Sequence, residues 1–130
     1  MTQTLADILT ETVTQVDSTA TVAQAARAMR AAGVGSVVVR HGRELVGIFT
    51  ERDLVRAAAA GVDAARSLVR AWMTTDIYSL PSTTPVAEAM GQLRARRHRR
   101  LPVVDDGVLV GMVSLSDFVR AGVASVPAGA

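Results

Sequence analysis

Apolar residues recur along the chain at two spacings, and the change from one to the other predicts the order of helices and strands. The three-to-four-residue spacing of one helix face is met by Val22, Ala25, Ala26 and Met29. This stripe predicts a helix that opens near Thr21. Two runs rich in β-branched residues, 36–40 and 45–50, flank a polar turn and predict two strands. A second helix is predicted from Glu51 to about Ala60, where Gly61 can adopt the left-handed conformation that ends a helix.

The same order of elements returns in the second half of the chain. Thr84 followed by Pro85 predicts an N-cap and a first turn, and the helix stripe that follows is formed by Val86, Ala89, Met90 and Leu93. The Asp-Gly step at 106–107 predicts a hairpin between strands 101–104 and 108–114, and a helix then starts at Leu115. Each half also has a short leading strand, at 13–16 and 77–80.

The two halves are copies of one unit, related by an offset of 64 residues. Between Val22 and Arg56, twelve positions are identical at this offset, and conservative pairs such as Thr50 and Ser114 fill much of the rest. We expect a first unit at 5–60, a linker at 61–72, a second unit at 73–122 and a flexible tail at 123–130. Units of about 60 residues bury too little surface alone, so the two copies are expected to pack face to face.

The composition is that of an ordinary globular protein and indicates no particular function. The 130 residues include no cysteine and are 49% hydrophobic and 20% charged, an ordinary globular balance. No apolar run is long enough to cross a bilayer, and the N-terminus does not resemble a secretory signal. A cytoplasmic protein without membrane contact is therefore expected.

The basic residues are all arginine and are unevenly placed. Five of the 14 basic residues surround His98: Arg94, Arg96, Arg97, Arg99 and Arg100. Three interpretations stay open, namely a solvated helix end that complements the helix dipole, contacts to a nucleotide phosphate by Arg99 and Arg100, and a nucleic-acid surface. Only 3% of the residues are aromatic, so no stacking platform for single strands is evident and nucleic acid is the least favoured.

One motif closes the second β run of each copy: glycine, two hydrophobic residues, a hydroxyl residue, two variable residues and aspartate. It occurs at 47–53 and at 111–117. A hydroxyl residue followed three positions later by an acid, at the start of a helix, is typical of a capping box and needs no ligand. The same geometry can hold a ligand, because a helix N-terminus attracts anions and a carboxylate accepts hydrogen bonds from adjacent hydroxyls such as those of a ribose.

The ordered set of these motifs, present twice, resembles the paired cystathionine-β-synthase-type domains, or CBS domains, whose tandem is called a Bateman module. The matching features are the A-x-x-x-M stripe at 25–29, LPVVDDG at 101–107, the two motif endings, and WMT at 72–74. The resemblance covers residues 5–122 and implies an α/β fold of two β-α-β-β-α units about a pseudo-twofold axis. It also implies a regulatory module that binds AMP, ADP, ATP or S-adenosylmethionine in two clefts between the units, with no required cofactor.

The resemblance assigns residues to each cleft. The first cleft would use Ile48, Thr50 and Asp53 with Ile77, Tyr78, Arg99 and Arg100. The second would use Met112, Ser114 and Asp117 with Val13, Thr14, Gly35 and Ser36. The aspartates would hold ribose, the hydroxyl residues ribose or phosphate, and the leading strands adenine.

The copies differ where phosphate would bind, because Gly35 and Ser36 stand where the second copy has Arg99 and Arg100. We therefore expect the first cleft to take the phosphorylated ligand, and the second to be empty, weaker or selective for an uncharged adenosine group.

Other features suggest no chemistry of their own. His41 and His98 lack companions at metal-ligand spacing. The chain has no cysteine nucleophile, no paired general acid and base beyond the separated motif aspartates, and no P-loop pattern, so a non-enzymatic binding module is expected. Trp72 is expected to pack in the core under the linker. A homodimer is expected from the apolar helix stripes and from the resemblance, with an unidentified regulated protein as partner. The alternative is a structural or interaction module whose clefts are vestigial.

Overall fold

A computed structural model describes residues 2–122 of the chain, which form two compact units. The predicted tail at 123–130 lies outside the described residues. The first-repeat unit is Val13–Ile77, and the second-repeat unit combines residues 2–12 with 78–122. The helices are α1 (Leu5–Ile8), α2 (Val22–Ala32), α3 (Glu51–Ala59), α4 (Val86–Arg96) and α5 (Leu115–Arg120). The strands are β1 (Gln15–Asp17), β2 (Ser36–His41), β3 (Glu44–Thr50), β4 (Arg100–Asp105) and β5 (Val108–Ser114).

The first-repeat unit is a three-stranded sheet with two helices. Strand β1 pairs parallel with β2, and β2 pairs antiparallel with β3. Thr21 begins α2 as predicted, because its hydroxyl accepts from the Gln24 N–H and the Gln24 side chain accepts from the Thr21 N–H. Helix α3 ends at Ala59 ahead of Gly61, whose φ of +76° confirms the predicted left-handed stop.

The second-repeat unit keeps this order but departs from the prediction at its leading strand. Strands β4 and β5 pair antiparallel, whereas the predicted strand at 77–80 is reduced to a parallel bridge between Leu80 and Val103. In the first repeat the Val38 N–H donates to the Thr14 carbonyl. The equivalent of Val38 is Pro102, which has no N–H to donate, so the leading strand loses a ladder hydrogen bond.

The predicted cap of α4 is wrong. The N-cap residue is Pro85, not Thr84, and among residues 2–122 no side chain caps this helix. Thr84 is buried in the preceding turn, where its N–H donates to the Pro81 carbonyl and its carbonyl accepts from the Leu5 N–H. With Pro85 at the N-cap, the start of α4 falls 64 residues after that of α2, so the two repeats stay in register.

The two hairpins are irregular at the same place but differ in their turns, because only Gly42 of the first turn has positive φ. Asp106 and Gly107 both have positive φ, as a two-residue hairpin turn of the favoured twist requires. Both hairpins carry an irregularity in the same place, between Val39 and Arg40 and between Val103 and Val104. The prediction of a mixed α/β fold from two β-α-β-β-α repeats is confirmed.

Hydrogen bonds lower the pKa of two aspartates near these strands. At the end of β4, the hydroxyl and N–H of Ser82 donate to Asp105 and hold its pKa below the usual range. At the end of β1, the hydroxyl and N–H of Thr19 do the same for the pKa of Asp17. The Thr19 contacts close a tight turn, whereas the Ser82 contacts join residues 23 positions apart, and both pairs lie outside the repeated motifs.

Each unit has its own apolar core between its helices and its sheet. The first core is built from α2, β2, β3 and α3 around the fully buried Phe49, and the second from α4, β4, β5 and α5 around Phe118. Trp72 and Met90 pack against these cores and Met29 is buried in one, as predicted. Within residues 2–122, the structure has no helix whose length and apolar content would let it span a membrane.

A segment that precedes each repeat completes the core of the other one. We call residues 3–10 the N-terminal strap and residues 67–74 the central strap; they are related by the same offset of 64. The Gln3 carbonyl accepts from the first N–H of α4, and the Ser67 carbonyl accepts from the first N–H of α2, at 2.9 and 2.8 Å. Leu5 and Val69, at matching positions of the straps, are fully buried. The repeat therefore includes the straps.

Candidate functional site

The carboxylate of Asp53 lies at the junction of β3 and α3, buried to 2% exposure. Its Oδ2 atom accepts from the N–H and the hydroxyl of Thr50, at 3.0 and 3.1 Å. Arg56 Nη1 donates to Oδ1 at 2.9 Å. The hydroxyl of Thr74, from the central strap, lies 3.2 Å from Oδ1 and 3.1 Å from Oδ2. Each carboxylate oxygen is thus hydrogen-bonded within the first-repeat unit.

Asp117 has the same environment in the second repeat. Its carboxylate, 4% exposed, accepts from the N–H and the hydroxyl of Ser114 at 2.8 and 3.1 Å. Arg120 forms an ion pair with Oδ1, and the hydroxyl of Thr10 donates to the same atom at 3.1 Å. The capping-box interpretation of both motifs is therefore confirmed, and their use as ribose-binding groups stays a prediction.

The motif glycines let the straps approach the sheets. A Cβ on Gly47 would lie 2.3 Å from the Met73 Sδ atom, and a Cβ on Gly111 would lie 2.7 Å from Leu9 Cδ1 and 2.8 Å from the Thr10 carbonyl oxygen. At Gly111 a close atom is backbone, so a Cβ would displace the N-terminal strap, whereas at Gly47 a Cβ would have to push the Met73 side chain aside. The motif glycine and the motif aspartate of each repeat therefore contact the same strap.

Backbone bridges fix the strap threonines opposite predicted site residues. Thr74 exchanges two hydrogen bonds with Ile48, at 2.9 and 2.8 Å, and Thr10 exchanges two with Met112, at 2.8 and 3.0 Å. Ile48 and Met112 are the residues that the resemblance placed in the clefts. In each unit four of these residues lie together, and we call each group a half-site. The half-sites are Ile48, Thr50, Asp53 and Thr74 in the first unit, and Met112, Ser114, Asp117 and Thr10 in the second.

Most of the remaining predicted residues lie at or just before the start of a strand of their own unit. Val13 and Thr14 precede β1 and Ile77 ends the first-repeat unit, all partly buried, and Ser36 starts β2. Gly35 accepts from the Glu51 N–H at 3.1 Å, so it adjoins the start of α3. Arg99 accepts from the Leu115 N–H at 3.0 Å and adjoins α5 in the same way, followed by Arg100 in β4. The predicted cleft sets draw on both units and stay predictions.

The arginine cluster divides into residues with different surroundings. The guanidinium of Arg96 stacks on the ring of Tyr78 at 3.6 Å, so one face of this predicted adenine-lining ring is already covered. Arg97, Arg99 and Arg100 are exposed, and among residues 2–122 no carboxylate forms an ion pair with them. These three guanidinium groups are available to an anion.

Arg97 also has a strained backbone. It caps α4 with φ of 57°, where the first repeat has Gly33 with φ of 67°. A non-glycine residue in this conformation costs about 1 kcal/mol. The second repeat therefore carries an arginine where the fold favours glycine.

Sequence reasoning missed four contributors to the half-sites: Thr10, Thr74, Arg56 and Arg120. The arginines are identical across the offset, and their position three residues after each aspartate is the spacing of a helical ion pair. Thr10 and Thr74 also match at this offset, but they are isolated identities outside the region of dense similarity. Their role depends on strap packing that no local pattern indicates.

The repeated order of elements and motifs fits a known family in sequence as well. The sequence model of the CBS domain matches residues 5–60 and 69–124, two spans that are themselves 64 residues apart. The chain belongs to the CBS domain family. The second match begins at Val69, so this CBS match includes most of the central strap.

Two of the compared proteins resemble the chain over most of its length. A 17.7 kDa protein of Acidianus ambivalens is 36% identical over 120 residues, which cover 90% of this chain and 71% of that protein. A crystal structure described as an acetoin utilization protein, AcuB, of Vibrio cholerae has a TM-score of 0.86 at 26% identity. The AcuB match covers 95% of this chain and 93% of the other.

A third comparison is with a CBS pair that holds ligands. The CBS domain pair of protein MJ0100, in complex with 5′-methylthioadenosine and S-adenosyl-L-methionine, has a TM-score of 0.76 at 22% identity. The match covers 94% of this chain and 97% of that one. At this identity the likeness shows a shared fold.

Proposed function

We propose that this protein is a regulatory module that binds an adenosine-containing ligand, AMP, ADP, ATP or S-adenosylmethionine, and passes its occupancy to a partner protein. The observation that carries the proposal is the duplicated half-site. In both repeats a buried carboxylate lies at a strand-to-helix junction beside the apolar residue that the family pattern assigns to the ligand. A carboxylate in this position can accept hydrogen bonds from the two adjacent hydroxyls of a ribose.

The two repeats differ in charge at equivalent positions, and this difference supports different ligands at the two sites. Arg99 and Arg100 are exposed and without ion-pair partners among residues 2–122, whereas Gly35 and Ser36 offer no charge. Guanidinium groups bind phosphate oxygens in a bidentate manner. Following the residue sets that the resemblance implies, we propose that the phosphorylated ligand uses Asp53 with Arg99 and Arg100, and that Asp117 serves a weaker or uncharged adenosine ligand.

Substitution of each aspartate by asparagine tests both parts of this proposal. Asparagine keeps the shape and one acceptor oxygen but removes the charge. We expect Asp53→Asn to weaken AMP and ATP binding by about 10- to 100-fold, the effect of losing charge-assisted hydrogen bonds. Asp117→Asn should leave phosphate-ligand affinity unchanged. Titration calorimetry with AMP, ATP and S-adenosylmethionine measures these affinities. The control is Asp76→Asn, which makes the same change at an exposed aspartate.

Two outcomes would count against the proposal, and they are distinct. Equal weakening of AMP binding in both variants would reject the asymmetry and leave nucleotide binding in place. No binding of any of the three ligands to the unchanged protein, by calorimetry or thermal shift, would reject the function. That second result would favour an interaction module with vestigial sites, which the complete hydrogen bonding of both carboxylates supports.

We further propose that two chains associate through α3 and α5. The large apolar side chains exposed on the described residues are Val55, Leu115 and Val119, at 66%, 37% and 59% exposure. Val55 of α3 and Val119 of α5 are equivalent in the two repeats, so both helices expose an apolar residue at the same position. We expect Val119→Arg to shift a dimer toward monomer in analytical ultracentrifugation, with Ala95→Arg on α4 as control. An unchanged sedimentation coefficient in Val119→Arg and in Val55→Arg would exclude this surface.

A further inference from the structure

The strap threonines present the same chemical group to the motif aspartates as a ribose would. Thr74 donates its hydroxyl to Asp53, with oxygen–oxygen distances of 3.1 and 3.2 Å, and Thr10 donates to Asp117 at 3.1 Å. Both threonines are held by paired backbone hydrogen bonds to the strand that leads to the aspartate. The arrangement occurs in both repeats although the straps share little sequence, so it is a repeated feature of the fold.

A diol cannot add to these carboxylates without replacing an existing donor. A carboxylate has about four acceptor positions. In Asp53 they are taken by the Thr50 N–H, the Thr50 hydroxyl, the Arg56 guanidinium and the Thr74 hydroxyl. At 2% exposure the group has no free face toward water. The incoming hydroxyls must therefore take positions that protein donors hold.

The donors differ in how easily they leave. The Thr50 contacts belong to the capping box of α3, and their loss would expose the helix start. The Arg56 guanidinium forms an ion pair with the carboxylate, so its displacement would separate opposite charges. The Thr74 hydroxyl is neutral, its residue is exposed, and its backbone stays anchored to Ile48 when the hydroxyl rotates away. The Thr74 hydroxyl reaches both carboxylate oxygens, so its exchange for the two neutral hydroxyls of a diol is the least costly substitution.

We propose that Thr74 and Thr10 are positioning residues whose hydroxyls occupy the ribose position of the motif aspartates and are displaced by the ligand. The inference rests on the proposed function and adds a mechanism to it. Without ligand, the strap hydroxyl satisfies a buried carboxylate and fixes its orientation. With ligand, the carboxylate exchanges the strap for the diol, so occupancy changes the contacts of the strap. The central strap leads directly into the second repeat, so a change in the contacts of the strap can affect the segment that follows it.

Removal of the strap hydroxyl without change of shape tests this competition. We expect Thr74→Val to bind AMP about tenfold more tightly than the unchanged protein, since the ligand no longer displaces a hydroxyl. The same variant should have a lower melting temperature, because it loses a hydrogen bond to a buried carboxylate. Thr74→Ser restores the hydroxyl and should restore both values. Thr75→Val, an exposed neighbour that makes no hydrogen bond to either motif aspartate, is the matched control.

The opposite changes in affinity and stability separate displacement from a merely structural role. If Thr74 only supports the fold, Thr74→Val weakens AMP binding together with stability, and the proposal is overturned. For 2′-deoxy-AMP, which has one hydroxyl fewer, Thr74→Val should increase the affinity little or not at all. An increase as large as that for AMP would also overturn the proposal. AMP binding with the same affinity in all variants rejects the exchange but keeps the nucleotide site. Absence of AMP binding to every protein, including Thr10→Val, rejects the exchange and the site together.

Discussion

Gly111→Ala lowers the free energy of unfolding by about 3 kcal/mol, the upper range for overpacking of a tight interior. The new Cβ atom would lie 2.7 Å from Leu9 Cδ1 and 2.8 Å from the Thr10 carbonyl oxygen. The Leu9 side chain can rotate, but the Thr10 carbonyl is backbone and is hydrogen-bonded to the Met112 N–H at 3.0 Å. The clash therefore displaces the N-terminal strap and with it the buried Leu5. Equilibrium urea denaturation measures the effect.

The first repeat offers an internal comparison for this result. At Gly47 the close atoms all belong to the Met73 side chain, whose thioether is flexible. Gly47→Ala should therefore destabilise less than Gly111→Ala, although the glycines are equivalent in the repeat. Gly91 lies in α4, and among residues 2–122 a Cβ added there would meet nothing within 4 Å beyond its chain neighbours and the backbone of its own helix. Gly91→Ala should therefore stabilise by about 0.5–1 kcal/mol. Equal stability of Gly111→Ala and the unchanged protein would show that the strap does not lie against this glycine.

Asp53→Ala lowers the free energy of unfolding by about 3 kcal/mol, even without ligand. The substitution removes the capping-box acceptor of α3, worth about 1 kcal/mol, and leaves three further donors without their buried acceptor. Arg56 is half exposed and can turn to water, which limits the cost of its lost ion pair. Thermal and urea unfolding of the ligand-free protein measure the change.

Asp117→Ala should have nearly the same effect, because Asp117 has the same set of donors. Asp76→Ala, an exposed aspartate outside both motifs, is the control and should change stability by less than about 0.5 kcal/mol. If Asp53→Ala is as stable as the control, the buried hydrogen-bond network is not what fixes this carboxylate. The expected loss also explains why ligand binding is tested with asparagine, since failure of the alanine variant to bind would not separate fold from function.

The local structure of each repeat could be predicted because it depends on nearby residues. The stripes of α2 and α4, the hairpin turn at Asp106 and Gly107, and the stop at Gly61 all follow from spacing and backbone preference. The errors occurred where a distant contact decides the outcome. Pro102 removes the donor that a leading strand at 77–80 would need, and Thr84 is held by Leu5 rather than by the helix it precedes.

The half-sites could be predicted in part, for the same physical reason. The motif residues Thr50 and Asp53 are three positions apart, so the capping box was evident from their spacing alone. The ion pair of Asp53 with Arg56 is equally local, and its three-residue spacing is visible in the sequence although it was not recognised there. Thr74 reaches Asp53 across 21 residues, and Thr10 reaches Asp117 across 107. No periodicity spans such separations.

The order of residues alone establishes that the chain is one unit repeated at an offset of 64, with a hydroxyl and a carboxylate at each strand-to-helix junction. Repetition and helix capping are properties of order along the chain, and they can be read without coordinates. The packing of each strap on the repeat that it does not precede, and the contacts of Thr10 and Thr74 with the two aspartates, become visible only in the folded chain. The reason is steric, since the missing side chains of Gly47 and Gly111 leave space that Met73 fills in one unit and Leu9 and Thr10 fill in the other.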